Sequence, residues 1–177
     1  MKHMAQAWVI TLAMLAGGCA GDGMESGAAA PPSVAAADIR DAAGTLKAHA
    51  QVSQAPGGLR IRVQAAAMTA GTYGIHIHAV GRCEAPGFTT AGPHWNPTAR
   101  QHGKDNPQGM HQGDLPNLVI GADGRGRLDF VIPAATAADL LDADGAAVVI
   151  HAGPDDYRTD PSGNSGARVA CGVLAAP

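Results

Sequence analysis

The chain has 177 residues, 15% charged and 3% aromatic, with 24 glycines, 12 prolines and a formal charge of −3. That length holds one ordinary domain with a real core, which small aliphatic side chains must fill because aromatics are so few. Basic residues form no cluster, which argues against nucleic acid as a partner, and abundant Gly and Pro without a period point to the many turns of an all-β fold.

In chain order, Lys2 and His3 precede AWVITLAMLA, an apolar run too short for an ordinary membrane span, and then GGC. Residues 1–18 therefore read as a secretory signal. The AGGC ending at Cys19 resembles a bacterial lipoprotein cleavage box, in which the cysteine becomes an acylated N-terminus; a plain signal peptide with a stray cysteine is the other reading. Residues 19–37 are small and Pro-bearing, as in a flexible tether between anchor and domain. Structure is expected from about Asp38. With Cys19 set aside, Cys83 and Cys171 remain, and an even number in an exported chain suggests a disulfide rather than two free thiols.

LKAHAQV (46–52) alternates partly, PGG (56–58) is a turn, and LRIRVQA (59–65) alternates cleanly, so the three read as a hairpin. YGIHIHAV (73–80) continues the strand pattern. NLVIGADGRGRLDFVI (117–132) is two strands about an Asp-Gly turn. TAADLLDADG (136–145) makes one helical turn or a loop, AAVVIHAG (146–153) is a buried strand, and ARVACGVL (167–174) is the last strand. Two irregular stretches interrupt this rhythm, 81–116 and 153–166. A structureless run as long as the first needs something to order it.

Eight histidines lie along the chain. His3 belongs to the signal and His49 is isolated. Residues two apart on a strand face the same way, so His76 and His78 can offer two imidazoles to one ion. Alone, the pair reads first as a solvated polar face. His102, His111 and Asp114 add two imidazoles and a carboxylate within the long loop, and His94 is a nearby fourth donor. That mix suits zinc, and a bound cation would order the loop.

Five motifs in order carry a family resemblance: GIHIH (74–78), GPHWNP (92–97), HGKDNPQGMHQGDLPN (102–117), VVIHAGPDDY (148–157) and SGNSGARVACG (162–172). Over residues 38–177 the sequence resembles the bacterial, exported copper/zinc superoxide dismutases. The resemblance implies an eight-stranded Greek-key β-barrel or sandwich with two long functional loops. It implies one copper and one zinc per subunit, superoxide as substrate, and either a monomer or a homodimer. His76, His78 and His151 match copper ligands, His94 the residue bridging both metals, and His102, His111 and Asp114 the remaining zinc ligands. Arg168 matches the arginine that guides the anion, Cys83 and Cys171 the intrasubunit disulfide, and Asp155 the carboxylate between His76 and His102. Ala79 follows His78 where many relatives have an acid, and the loop after His151 is short; neither removes a ligand.

The donor chemistry agrees. Zinc has no accessible redox change, whereas copper does and accepts a nitrogen-rich site. A His94 ring with a metal on each nitrogen must be an imidazolate, and His94 with Arg168 forms the expected catalytic pair. Arg168 offers forked donors to a small anion, with Lys104 and Arg158 as candidate helpers. Superoxide dismutation in the periplasm, with the chain held to a membrane through Cys19, is the expected function. The rivals are a non-catalytic copper- or zinc-binding scaffold for storage or delivery, and a structural domain using zinc alone.

Overall fold

The structure is a computed structural model, and it describes residues 32–177. The expected signal, Cys19 and most of the expected tether lie outside the described residues. The strands are Ser33–Asp41 (β1), Leu46–Ala55 (β2), Gly58–Ala65 (β3), Gly71–Tyr73 (β4), Ile75–His78 (β5), Leu118–Ile120 (β6), Gly126–Pro133 (β7), Ala146–His151 (β8) and Arg168–Leu174 (β9). One helical turn, Ala137–Leu140 (α1), follows β7.

All strand pairs are antiparallel, in the order β4-β6-β7-β3-β2-β1-β9-β8-β5. The two ends of this order are one continuous piece of chain. β4 and β5 are divided only at Gly74, so nine segments amount to the eight strands expected, and the sheet curls into a nearly closed barrel. Gly74 makes the junction by donating to Gly153 O at 2.7 Å and accepting from His151 N at 2.8 Å. A Cβ there would come within 2.7 Å of the Ser165 Cβ, so the close approach requires glycine. β3 lies beside β7 and β8 beside β5, the Greek-key crossings.

The core is built from small aliphatic residues, as the composition requires. Alternate residues of each strand point inward, among them Ala48, Ala50 and Val52 on β2 and Leu59, Ile61 and Val63 on β3. These two strands form the predicted hairpin, with Ala55 opposite Gly58. The first strand departs from expectation. β1 starts at Ser33, five residues before Asp38, because Ala35, Ala37 and Ile39 fill the barrel opposite β2. A run in which alanine alternates with alanine shows no contrast between faces, so SVAAA (33–37) reads as tether.

The long loop between β5 and β6 opens with a small apolar cluster outside the barrel. Phe88 and Ala91 pack there on Ala147, Val149 and Cys171, with Cys83 against them. Cys83 and Cys171 are bonded, their Cα atoms 5.6 Å apart and their positions 88 residues apart in sequence. Cross-linking so long a loop removes much freedom from the unfolded chain. Replacing both residues, Cys83→Ser with Cys171→Ser, is expected to lower the unfolding free energy by about 2–5 kcal/mol in denaturant titrations. An unchanged midpoint would contradict this.

Candidate metal centre

β5 is buried at all four positions, and its two faces have different neighbours. Ile75 and Ile77 enter the barrel core, so the strand's alternation turns His76 and His78 outward together. β8 repeats the pattern beside it: Val148 and Ile150 face in and His151 faces out. Loop backbone covers the free edge of β5. Ile77 donates to Gly113 O at 2.9 Å and accepts from Trp95 N at 2.8 Å, and His94 and Asp114 bridge to His78 and His76. A Cβ on Gly113 would overlap the Ile77 carbonyl, so only glycine lets the loop approach this closely. Trp95 is packed into the core rather than turned toward the histidines.

His76, His78, His94 and His151 form one cluster, with one ligand atom of each within 4.8 Å of the others. Three of the rings are oriented by hydrogen bonds at their opposite nitrogens. His76 Nε2–H donates to Asp155 Oδ2 at 2.8 Å, His78 Nδ1–H to Gly92 O at 2.8 Å, and His151 Nδ1–H to Gly166 O at 3.1 Å. A neutral imidazole donating through one nitrogen has a lone pair on the other. Those other nitrogens, His76 Nδ1, His78 Nε2 and His151 Nε2, together with His94 Nε2, are buried side-chain atoms without a hydrogen-bond partner. Burial holds His76 at about 3, His78 at about 2 and His151 at about 4, so their free lone pairs are available at neutral pH. Four converging, unprotonated nitrogens fit a copper ion.

A second cage begins on the other side of His94. Asp114 Oδ1 lies 2.9 Å from His94 Nδ1, 3.0 Å from His102 Nδ1 and 3.2 Å from His111 Nδ1, and His111 Nδ1 is 3.4 Å from His94 Nδ1. Ligands about 2.0 Å from zinc at tetrahedral angles stand about 3.3 Å apart, and these four separations match that spacing. His76 also comes within 4.8 Å of His94, His102 and Asp114. Its Nε2 is committed to Asp155 and its Nδ1 belongs to the first cluster, so His111 is the fourth donor here. The remaining Asp114 oxygen accepts the backbone N–H groups of Gly103 and His111 at 2.9 and 3.0 Å.

Asp155 ties the two clusters together, with Oδ2 on His76 and Oδ1 3.0 Å from His102 Nε2. Burial would raise both carboxyls, but the surrounding histidines outweigh it and hold Asp114 and Asp155 ionised, well below the usual carboxylate range. Burial also opposes charge on His102, yet Asp114 and Asp155 raise it to about 9.

Arg168 pairs across the sheet with His151 after a shift in the β8–β9 register. Its guanidinium donates to Phe88 O at 2.8 Å and Gly92 O at 2.7 Å, and the Gly92 carbonyl also holds His78. The disulfide-anchored loop thus aims both the arginine and a ring of the first cluster. An open groove beside it is lined by Pro86, Gly87, Thr89, Gly166, Ala167 and Arg168, with Arg168 the one charged member. Of the candidate helpers, Lys104 is paired with Asp105 at 2.9 Å and lies over the Tyr157 ring, and Arg158 is exposed. His49 is an exposed partner of Asp38, apart from the cluster. Sequence reasoning missed Asn117, whose side chain grips the Asp155 backbone through two hydrogen bonds of 2.8 and 2.9 Å. It also missed Tyr157, whose hydroxyl accepts from Asn117 N at 2.8 Å. Asn117 closes the GDLPN run after the zinc-type ligands, and its place there is the one signal that could have marked it.

The family model for copper/zinc superoxide dismutase matches residues 42–174. The chain is 45% identical over 125 residues to the superoxide dismutase-like protein YojM of Bacillus subtilis, covering 66% of this chain and 63% of that protein's length. It is 38% identical over 144 residues to superoxide dismutase (Cu-Zn) 1 of Aquifex aeolicus, covering 78% and 85%. Among solved structures, a double mutant of a SOD-like protein from Bacillus subtilis, with two residues changed to histidine, aligns at a TM-score of 0.75 and 38% identity over 80% of this chain and 99% of that one. With the family model, the relatives and two fitting donor sets in agreement, the chain belongs to the copper/zinc superoxide dismutases, an enzyme family, and takes copper and zinc.

Proposed function

We propose that the protein dismutates superoxide outside the cytoplasm, with copper held by His76, His78, His94 and His151 and zinc by His94, His102, His111 and Asp114. The observation that carries this reading is the placement of His94: Nδ1 faces the carboxylate cage and the partnerless Nε2 faces the other three histidines. Bound copper supplies a one-electron change that runs in both directions, and zinc supplies fixed positive charge.

The chain's own residues do the rest. Two superoxide ions and two protons yield one dioxygen and one hydrogen peroxide. His94 Nε2 holds a proton and gives it up to the second superoxide, while contacts at Nδ1 keep the ring aimed. Asp155 fixes His76 and His102 in their tautomers, and outer carboxylates of this kind also raise ligand basicity. Arg168 receives the anion. Superoxide dismutase is itself a known case of electrostatic steering, and in a chain of net negative charge the attraction must be local.

A non-catalytic metal scaffold is the second reading, favoured by the 45% identical relative that is named only superoxide dismutase-like. Retention of all seven ligands and Arg168 supports the enzyme instead. A xanthine oxidase/cytochrome c assay paired with metal analysis separates the readings: activity that depends on copper supports the enzyme, bound metal without turnover supports the scaffold, and zinc alone supports a structural domain. We also propose that Cys19 anchors the protein in the periplasm.

Three outcomes are expected. His94→Ala lowers turnover per copper by about 10²-fold or more near neutral pH, the scale of a lost proton donor; full turnover would refute the role of the ring. Turnover of the unmutated protein falls as salt rises, and Arg168→Ala costs about tenfold and flattens that response. Radiolabelled palmitate is incorporated in a bacterial host and lost in Cys19→Ser; labelling that survives the change refutes the anchor.

A further inference from the structure

We infer that Asp160, on the loop between β8 and β9, is a positioning residue for zinc: its carboxylate holds the His102 backbone and faces the back of the His111 ring. The inference rests on the zinc assignment proposed above. Asp160 Oδ1 accepts the His102 backbone N–H at 2.7 Å. The same oxygen lies 4.0 Å from His111 Nε2, the nitrogen opposite the one that faces the cage. His102 already has such support at its outer nitrogen from Asp155. Asp160 stands too far from His111 for a direct hydrogen bond and acts on that ring through its charge, so two carboxylates from one loop stand behind two zinc-type ligands from another.

The same loop meets the zinc loop again nearby. Asp105 N donates to Tyr157 O at 3.0 Å, and the Asn106 amide donates to Arg158 O at 3.4 Å. Asp160 differs from these contacts in carrying charge. A cation at Nδ1 makes a histidine ring more positive and its Nε2–H more acidic, so a carboxylate behind the ring favours the metal-bound form. Partners of this kind are worth about 10–100-fold in metal affinity. The Asp160 side chain is 48% exposed against 8% for His111, so solvent and salt weaken its field and its effect belongs near the lower end of that range.

The test is zinc release from the copper- and zinc-loaded protein, measured by competition with a colorimetric chelator. Asp160→Asn keeps an oxygen for the His102 N–H and loses the charge; it is expected to weaken zinc about fivefold at low salt, with the gap closing as salt rises. Asp160→Ala loses both and is expected to weaken zinc at least tenfold, while the copper EPR spectrum is unchanged. Asp105→Asn removes an equal charge that pairs only with Lys104 and is expected to shift affinity less than twofold. Zinc affinity within twofold of the unmutated protein in both Asp160 variants, an Asp160→Asn loss insensitive to salt, or an equal loss in Asp105→Asn overturns the inference. An unmutated protein that takes up no zinc overturns the zinc assignment itself, and the inference with it.

Discussion

Six imidazoles and two carboxylates lie buried against one face of this barrel, and burial on that scale is tolerated only where polar groups satisfy one another or hold a cation. Hydrogen bonds settle most of the demand. Asp114 and Asp155 each accept from several donors, and backbone carbonyls of the loops take the outward N–H of His78 and His151. What remains is four partnerless nitrogens on four rings. The network thus fixes which nitrogen each ring offers, and the leftover lone pairs define the place for a metal.

That network needs a frame that does not move, and the barrel supplies it. β5 and β8 are packed on both sides, so His76, His78 and His151 cannot swing without opening either the core or the loops. The loops, in turn, have little regular structure of their own. They are ordered by the disulfide, by the apolar patch around Phe88 and by the carboxylates that reach from one loop to the other. Asp155 and Asp160 both lie on the β8–β9 loop and both hold residues of the β5–β6 loop. Geometry at the two cages is therefore a joint property of two segments far apart in sequence.

The same architecture separates charge by function. Negative charge is drawn inward, where histidines hold both buried carboxylates ionised beside the zinc-type cage. Arg168 stands at its groove near His78 and His151, pinned by two carbonyls of the disulfide-anchored loop. One hydrogen-bond acceptor, Gly92 O, serves both the arginine and His78, so the anion-facing group and a ring of the first cluster share a mechanical anchor.

Much of this was legible in the chain alone, for reasons that differ by element. Period-two alternation marks β2, β3 and β5 because one face meets apolar core and the other does not, and it places His76 and His78 on one side before any fold is known. Motif order supplies the seven donors and Arg168. The alternation fails for β1, where alanine faces both ways, and it gives no sign that Gly74 joins the two ends of the sheet. Nor can sequence say which nitrogen of each histidine is free, that Asn117 grips the Asp155 backbone, or that Asp160 stands behind His111. Those facts depend on distances between loops that only folding brings together, whereas the faces of a strand are set by the geometry of each residue and its neighbours.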